Sequence, residues 1–479
     1  MTSITPVRAS ALKWGVCAHL DAIKHPTPDV VAAVQRMGCT IVRSNHRPKP
    51  GGRGTVHALA LRAAGIRLHQ PLPTPDDWRD PGAIPAAARR YFDAAKAADC
   101  LPDSVEFCNE MDALAGYAPV IKREIAATAA VCAEYGVPML GPSFRAFNLG
   151  EAAPAVATDD KGRPLATHYP AGYALHSYNS SQAPTGPILT GRLGLVRTHL
   201  APAPTPIALT ETGWWSDTPE GQAACLAPQV VLALVGDAVE WVTFYELVDE
   251  PGREGKEASF GLLKEDLTRK PVADALADLA ELLACHDDTD EDALVPADVT
   301  VAGDDATRCR LVQRGDGSRV LFLWRAVDGA ALTEERTVTV TIDGTTGGAV
   351  VSGMPAALEV AAAPEDPDPE DPDPKPVRKR IINLTGVRVS VRAGDKTRVP
   401  PAGDVVATVA TRTGRATRFA GLDVTPKRPT IKGLPDPVAG TMYLVTDAVA
   451  AAAVSAGRDD VLTHGKGGLA RPLPAKTAP

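Results

Sequence analysis

Several chemistries are excluded by what this sequence lacks. Its eight cysteines form no CxxC pair; they stand singly at Cys17, Cys39, Cys100, Cys108, Cys132, Cys225, Cys285 and Cys309. Zinc-ribbon and thioredoxin-type centres are thereby excluded, and buried free thiols made in a reducing compartment are the expectation. There is no HExxH motif and no carboxylate-rich calcium loop, so neither a catalytic metal nor another cofactor is expected. The glycine-rich stretch "NHRPKPGGRG" (45–54) lacks the Lys-Ser/Thr ending of a phosphate loop. Basic surplus is missing too: 50 Lys and Arg face 58 Asp and Glu, a net charge of -8, which argues against a nucleic-acid partner. Long apolar runs are absent. The most apolar stretch, "LAPQVVLALVGDAVEWV", is broken by Pro228, Asp237 and Glu240, so no membrane partner is expected. The opening "MTSITPVRASALKWGV" has no apolar core of an export signal, and cytoplasmic synthesis is the expectation.

What the sequence does have is alternation. Eight strand-like runs fill the first half: "KWGVCAH" (13–19), "CTIVRSN" (39–45), "IRLHQPL" (66–72), "SVEFCNE" (104–110), "VPMLGPS" (137–143), "GYALHSY" (172–178), "PIALTET" (206–212) and "WVTFYEL" (241–247). Helix-like segments separate them, several closing on a glycine just before the next strand, as a helix C-terminus requires. Eight such repeats in about 250 residues predict an α/β fold, a (β/α)8 TIM barrel, over 1–287. A doubly wound open sheet is the competitor; the count of eight and the lack of GxGxxG after the first run count against it.

After the barrel the period changes to alternating short strands with Gly/Asp turns, which predicts a small β-sandwich over 288–362. "PEDPDPEDPDPKP" follows; proline at nearly every second place forbids helix and predicts an extended linker over 363–379. Residues 380–479 read as a mostly-β accessory or tethering unit with one Ala-rich helix.

In a (β/α)8 barrel the chemistry lies at the C-terminal ends of the strands. Seven of the eight ends carry polar candidates: His19, Arg43, His69, Asn109-Glu110, His176-Ser177-Tyr178, Thr210-Glu211 and Tyr245-Glu246. Glu110 and Glu211 are carboxylates set on opposite sides of one mouth. Glycosidic bond cleavage needs such a pair, one to protonate the leaving oxygen and one to attack the anomeric carbon or activate water. Arg43 is placed to keep Glu211 ionised, and Tyr178 to donate it a hydrogen bond. Asn109 is positioned for a sugar 2-hydroxyl. His19, His69 and His176 are candidates for substrate contact, with ordinary packing as their alternative, and Trp214 is a candidate stacking platform. An aldolase would want a lysine at a strand end; none stands there.

These residues together resemble the large clan of retaining glycoside hydrolases with (β/α)8 barrels, which includes cellulases, β-xylosidases and β-galactosidases. "NE" at 109–110 matches the clan's acid/base on strand 4, Glu211 in "IALTETGWW" its nucleophile on strand 7, Arg43 its arginine, and His176 and Tyr178 its strand 6 pair. The resemblance implies a carbohydrate substrate. It departs at strand 8, where many members end in a tryptophan and this chain has Tyr245. The 380–479 unit resembles a small domain of phages and actinobacteria that opens "INLT", implying attachment to a virion or other assembly. The alternative reading is a non-catalytic carbohydrate-binding or phage structural protein on a degenerate barrel.

Overall fold

A computed structural model of the chain describes residues 2–178, 182–214, 220–253, 258–283 and 294–360, with short strands between 382 and 472. It divides into two units, Ala11–Leu282 and a second made of Met1–Ser10 with Leu283–Pro479.

The first unit is the expected barrel. Its strands are β1 (Trp14–Ala18), β2 (Ile41–Ser44), β3 (Arg67–Pro71), β4 (Ser104–Glu106), β5 (Met139–Leu140), β6 (Tyr173–His176), β7 (Ile207–Thr212) and β8 (Val242–Phe244). All pair in parallel, in the order β5-β4-β3-β2-β1-β8-β7-β6. A parallel bridge between Gly141 and Tyr173 joins the two ends and closes the barrel. Helices lie between the strands: α1 (Thr27–Arg36), α2 (Arg53–Ala63), α3 (Ala83–Ala97), α4 (Tyr117–Glu134), α5 (Leu149–Ala155), α6 (Pro187–His199), α7 (Glu220–Leu234) and α8 (Pro271–Leu283). Three of them end alike. Gly38, Gly65 and Gly136 adopt positive φ after α1, α2 and α4, and the next amide reaches back five residues, as Cys39 N does to Val34 O at 3.2 Å. Glycine takes this left-handed turn without a Cβ penalty, so the chain can reverse directly into the next strand.

The barrel interior is layered. At its base Ile41, Leu140, Ala174, Ala208 and Trp241 form an apolar plug. Trp241 underlies His69, with ring centroids 5.1 Å apart. Two residues further along β2 and β6 come Arg43 and His176, on the same inward face because strand side chains repeat every second residue. Strand β7 departs from this count. Leu209 aligns with Leu175 of β6, but Glu211 aligns with the next residue, His176; on the other side Leu209 aligns with Val242 of β8 and Thr212 with Phe244. Thr210 is therefore a surplus residue, a bulge against both neighbours. Its carbonyl is satisfied by Thr243 Oγ1 at 2.5 Å and Cys17 Sγ at 3.4 Å.

The second unit is a two-layer β structure. One sheet runs Thr2–Ile4, β9 (Ala297–Ala302), β12 (Arg336–Ile342) and β13 (Thr345–Val351); the other contains β14 (Ala356–Val360), β11 (Arg319–Arg325), β10 (Thr307–Gln313) and Val7–Arg8. Val299, Val338, Val340 and Val351 of one sheet and Leu311, Leu321, Leu323 and Val360 of the other share a single apolar core, as a sandwich requires. The expected start of the barrel at residue 1 is corrected here. Thr2 pairs with Val299 and Val7 with Val312, so the first ten residues complete the sandwich sheets. The expected linker at 363–379 and the expected Ala-rich helix lie outside the described residues. So does the basis for a virion attachment through 380–479, where only short strands are described. Of the seven cysteines described, all are free and six are buried, as their scatter suggested. No helix among the described residues is long and apolar enough to cross a membrane.

Candidate active site

The mouth of the barrel is organised around a buried arginine. Arg43 Nη1 donates to Glu211 Oε1 at 2.6 Å, and Nη2 donates to Asn109 Oδ1 at 2.6 Å and to Glu106 Oε1. Tyr178 donates its hydroxyl to the other oxygen of Glu211 at 2.6 Å. His176 Nδ1 lies 2.9 Å from Glu110 Oε1 and 3.5 Å from Glu211 Oε2. One oxygen of Glu110, one of Glu211 and a ring nitrogen of His176 all fall within 4.8 Å of one another. The structure thus brings together Glu110, Glu211, Asn109, Arg43, His176 and Tyr178. Arg192 of α6 donates to Ser177 Oγ at 2.7 Å and to Tyr178 O at 3.2 Å, holding the segment that presents the tyrosine.

The two glutamates stand in different surroundings. Glu211 has a side chain 10% exposed, whereas that of Glu110 is 26% exposed and faces the mouth. Burial opposes the charge of Glu211, but His176, Arg43 and the Tyr178 hydroxyl outweigh it and hold its carboxyl below the usual carboxylate range. Burial likewise disfavours the His176 cation, yet Glu211 and the hydrogen bond to Glu110 raise it above an ordinary imidazole. Glu110 reaches its place by a kinked path. Strand β4 ends at Glu106, four residues earlier than the sequence suggested. Cys108 and Glu110 then take left-handed conformations, φ 51° and 45°, on either side of Asn109. Non-glycine residues seldom adopt these angles, and two so close together turn Asn109 and Glu110 back over the barrel.

The sequence reading missed Glu106. It is fully buried, bonded to Arg43, 3.3 Å from His69 Nε2 and 3.5 Å from Ser143 Oγ. Burial works against its charge, but Arg43 first, then the His69 hydrogen bond and the His176 charge, hold the carboxyl well below its ordinary range. The signal was a lone carboxylate inside an apolar run, "SVEFC", where alternation with Val105 and Phe107 turns it inward.

Two expected contacts are corrected. His69 is 1% exposed, held between Ser104 Oγ at 2.8 Å, Glu106 and the ring of Trp241. It supports Glu106 from below and offers no surface to a ligand. Trp214 is 7% exposed and packs on Phe244 at 6.1 Å, so little of its face is open for stacking. Trp215 lies outside the described residues.

His19 and Tyr245 belong to a second cluster on the rim. His19 Nδ1 lies 2.6 Å from Glu250 Oε1 and 3.1 Å from Glu246 Oε2, and Arg253 Nη1 donates to the Tyr245 hydroxyl at 2.8 Å. The Tyr245 ring stands 6.4 Å from Tyr178 and 5.5 Å from Phe260, edge to face. Burial lowers the His19 imidazole, but its hydrogen bonds to the Glu246 and Glu250 carboxylates overcome it and raise the group from 6.5 to about 9. Because the folded value lies above the unfolded one, the stabilisation is complete below about pH 6.5 and lost as pH rises through 9. An NMR titration of the His19 ring should accordingly show it still protonated at pH 8, and His19→Gln should flatten the fall in stability between pH 7 and 9; a ring that titrates near 6.5 would refute this. Both Glu110-His176-Glu211 and His19-Glu246-Glu250 could seat a cation by distance. In each, an arginine already supplies the positive charge to a carboxylate, Arg43 to Glu211 and Arg253 to Glu250.

No family model matches the chain, and no curated protein matches it. Among solved structures it is similar to a family 39 glycoside hydrolase from Bacteroides cellulosilyticus WH2, at 16% identity over 74% of this chain and 82% of that one, TM-score 0.49. It is also similar to a glucosidase from Croceicoccus marinus, at 13% identity over 74% and 82%, TM-score 0.48. A third is an exo-β-1,4-mannosidase from Opitutaceae bacterium strain TAV5, at 14% identity over 59% and 62%, TM-score 0.44. Likeness at this level carries no argument about what this chain acts on.

Proposed function

We propose that the chain is a retaining glycoside hydrolase that cleaves an oligo- or polysaccharide by double displacement. The observation that carries this reading is that one carboxylate oxygen of Glu110 and one of Glu211 lie within 4.8 Å of each other. A carboxyl separation of about 5–5.5 Å suits direct attack on the sugar, whereas inversion needs about 6.5–9.5 Å to admit a water.

In the first step a Glu211 oxygen attacks the anomeric carbon, the glycosidic C–O bond breaks, and Glu110 gives its proton to the departing oxygen. In the second, Glu110 takes a proton from water, the water oxygen bonds to the anomeric carbon, and the ester to Glu211 breaks. Arg43 and Tyr178 hold the nucleophile ionised and aimed, one on each oxygen. Asn109 accepts from Arg43 through its Oδ1, which turns its amide nitrogen outward to meet the sugar 2-hydroxyl.

Proton NMR of the reaction on a turned-over glycoside tests this. The first-formed anomer should keep the substrate's configuration; the opposite anomer would overturn double displacement. Glu110→Gln should slow unactivated substrates by about 10²–10⁴-fold while leaving the first step on dinitrophenyl glycosides nearly intact, since such leaving groups need no proton. Equal loss on both substrates would remove Glu110 from the acid role.

A further inference from the structure

We infer that Phe147 is a stacking platform for a pyranose ring on the leaving-group side of the site, so that the enzyme binds sugar beyond the bond it cleaves. The inference rests on the glycosidase reading above. Among the described residues the large apolar side chains standing open are Val56, Phe147, Ile188 and Val295, and Phe147 is 76% exposed, far more than the others. A lone exposed ring is ordinary on a protein surface. This one is mounted. It occupies the turn between β5 and α5, and Arg145 before it and Asn148 after it are tied to Asp112, two residues after Glu110. Arg145 donates to Asp112 through its backbone N at 3.0 Å and Nε at 3.2 Å, and through Nη2 to the Asp112 carbonyl at 2.9 Å; Asn148 Nδ2 donates to Asp112 Oδ2 at 2.7 Å. The Asp112 side chain is 1% exposed, so this anchor is set within the protein. The turn itself is closed by Asn148 N to Arg145 O at 2.9 Å.

The Arg145 guanidinium carbon lies 5.0 Å from the Phe147 ring centroid, backing the ring with a cation. The ring is therefore fixed on one side and open on the other, which suits the C–H face of a sugar. Its side of the barrel is set by the same stitches. Ser143, at the start of this loop, approaches both Glu110 N and the Glu106 carboxylate at 3.5 Å. The loop that carries Phe147 is thus laid against the segment that carries the acid/base, and the acid/base is the group that meets the leaving oxygen.

Transfer to an acceptor tests this. In the deglycosylation step a sugar hydroxyl can replace water: its proton goes to Glu110, its oxygen bonds to the anomeric carbon, and the ester to Glu211 breaks. The donors are β-D-glucosyl, β-D-galactosyl and β-D-xylosyl fluoride, whose leaving atom is too small to reach Phe147. The acceptors are cellobiose, mannobiose and xylobiose. The readout is the ratio of transfer product to hydrolysis product within one reaction, so a general loss of folding or of chemistry cancels. Phe147→Ala should lower that ratio by about tenfold, and Phe147→Trp should keep it at or above the wild-type value. Fluoride release with a ratio unmoved by Phe147→Ala, or release without transfer to any acceptor, would overturn the platform and leave the glycosidase reading standing. No fluoride release from any donor by the unaltered protein would overturn both.

Discussion

Glu211→Gln is expected to lower kcat by at least roughly 10⁴-fold on every substrate, activated or not. The amide keeps the shape of the carboxylate but cannot form the glycosyl ester. It also upsets the groups that hold it: Arg43 Nη1 and the Tyr178 hydroxyl each donate to one oxygen of Glu211, and a glutamine can accept from only one of them. The loss should therefore not be relieved by a better leaving group, which separates this variant from Glu110→Gln. Steady-state rates on a dinitrophenyl glycoside decide the matter. Retention of more than about a hundredth of wild-type kcat would remove Glu211 from the nucleophile role.

The largest effect on stability should come from a residue outside the proposed catalytic pair. Glu106→Leu is expected to cost about 3–5 kcal/mol, because it leaves Arg43 in the barrel with one carboxylate fewer and His69 without its acceptor. Breaking one side of a buried ion pair is costly in this way even where replacing the whole pair by apolar groups is not. The pH dependence carries the same signature. The folded carboxyl of Glu106 lies below its ordinary value of 4.5, so its stabilisation is complete above that pH and drains away as pH falls toward the folded value. The variant should lose that acid-side slope. Urea unfolding of wild type and variant, followed by tryptophan fluorescence, measures both; a cost under about 1 kcal/mol, or an unchanged slope below pH 4.5, would contradict the assignment.

The sequence was legible where period and polarity coincide. Apolar runs bounded by glycine-capped helices located all eight barrel strands, and polar residues at their ends identified six of the side chains that meet at the mouth. It was misleading where the end of an apolar run differs from the end of pairing. "SVEFCNE" reads as one strand to Glu110, but the ladder stops at Glu106 and two left-handed residues carry the rest. Glu106 escapes the same pattern, because its charge lies in the interior of the run and not at its end. His69 lies too deep for a ligand because depth along the barrel axis has no sequence signal; an inward residue at mid-strand and one at the rim look alike in a pattern of twos. Trp214 stands just past the end of β7, where its packing on Phe244 is a tertiary contact that the sequence does not show. The first ten residues were misassigned because the short strands at Thr2–Ile4 and Val7–Arg8 are completed only by partners about 300 positions away.

The surplus residue in β7 sets which way Glu211 faces. Counted from Ala208 in the basal plug, a regular strand would aim position 210 inward and position 211 at the helices. Glu211 points inward only because Thr210 is unmatched by either neighbour. A strand one residue shorter between 208 and 211 would leave the carboxylate opposite His176, and would forfeit the carbonyl that Cys17 and Thr243 contact and the hydroxyl that Thr210 donates to Leu175 O. One residue longer, and the carboxylate would face the helical layer. Deletions and insertions at this place are thus unequal in the direction they leave Glu211 facing.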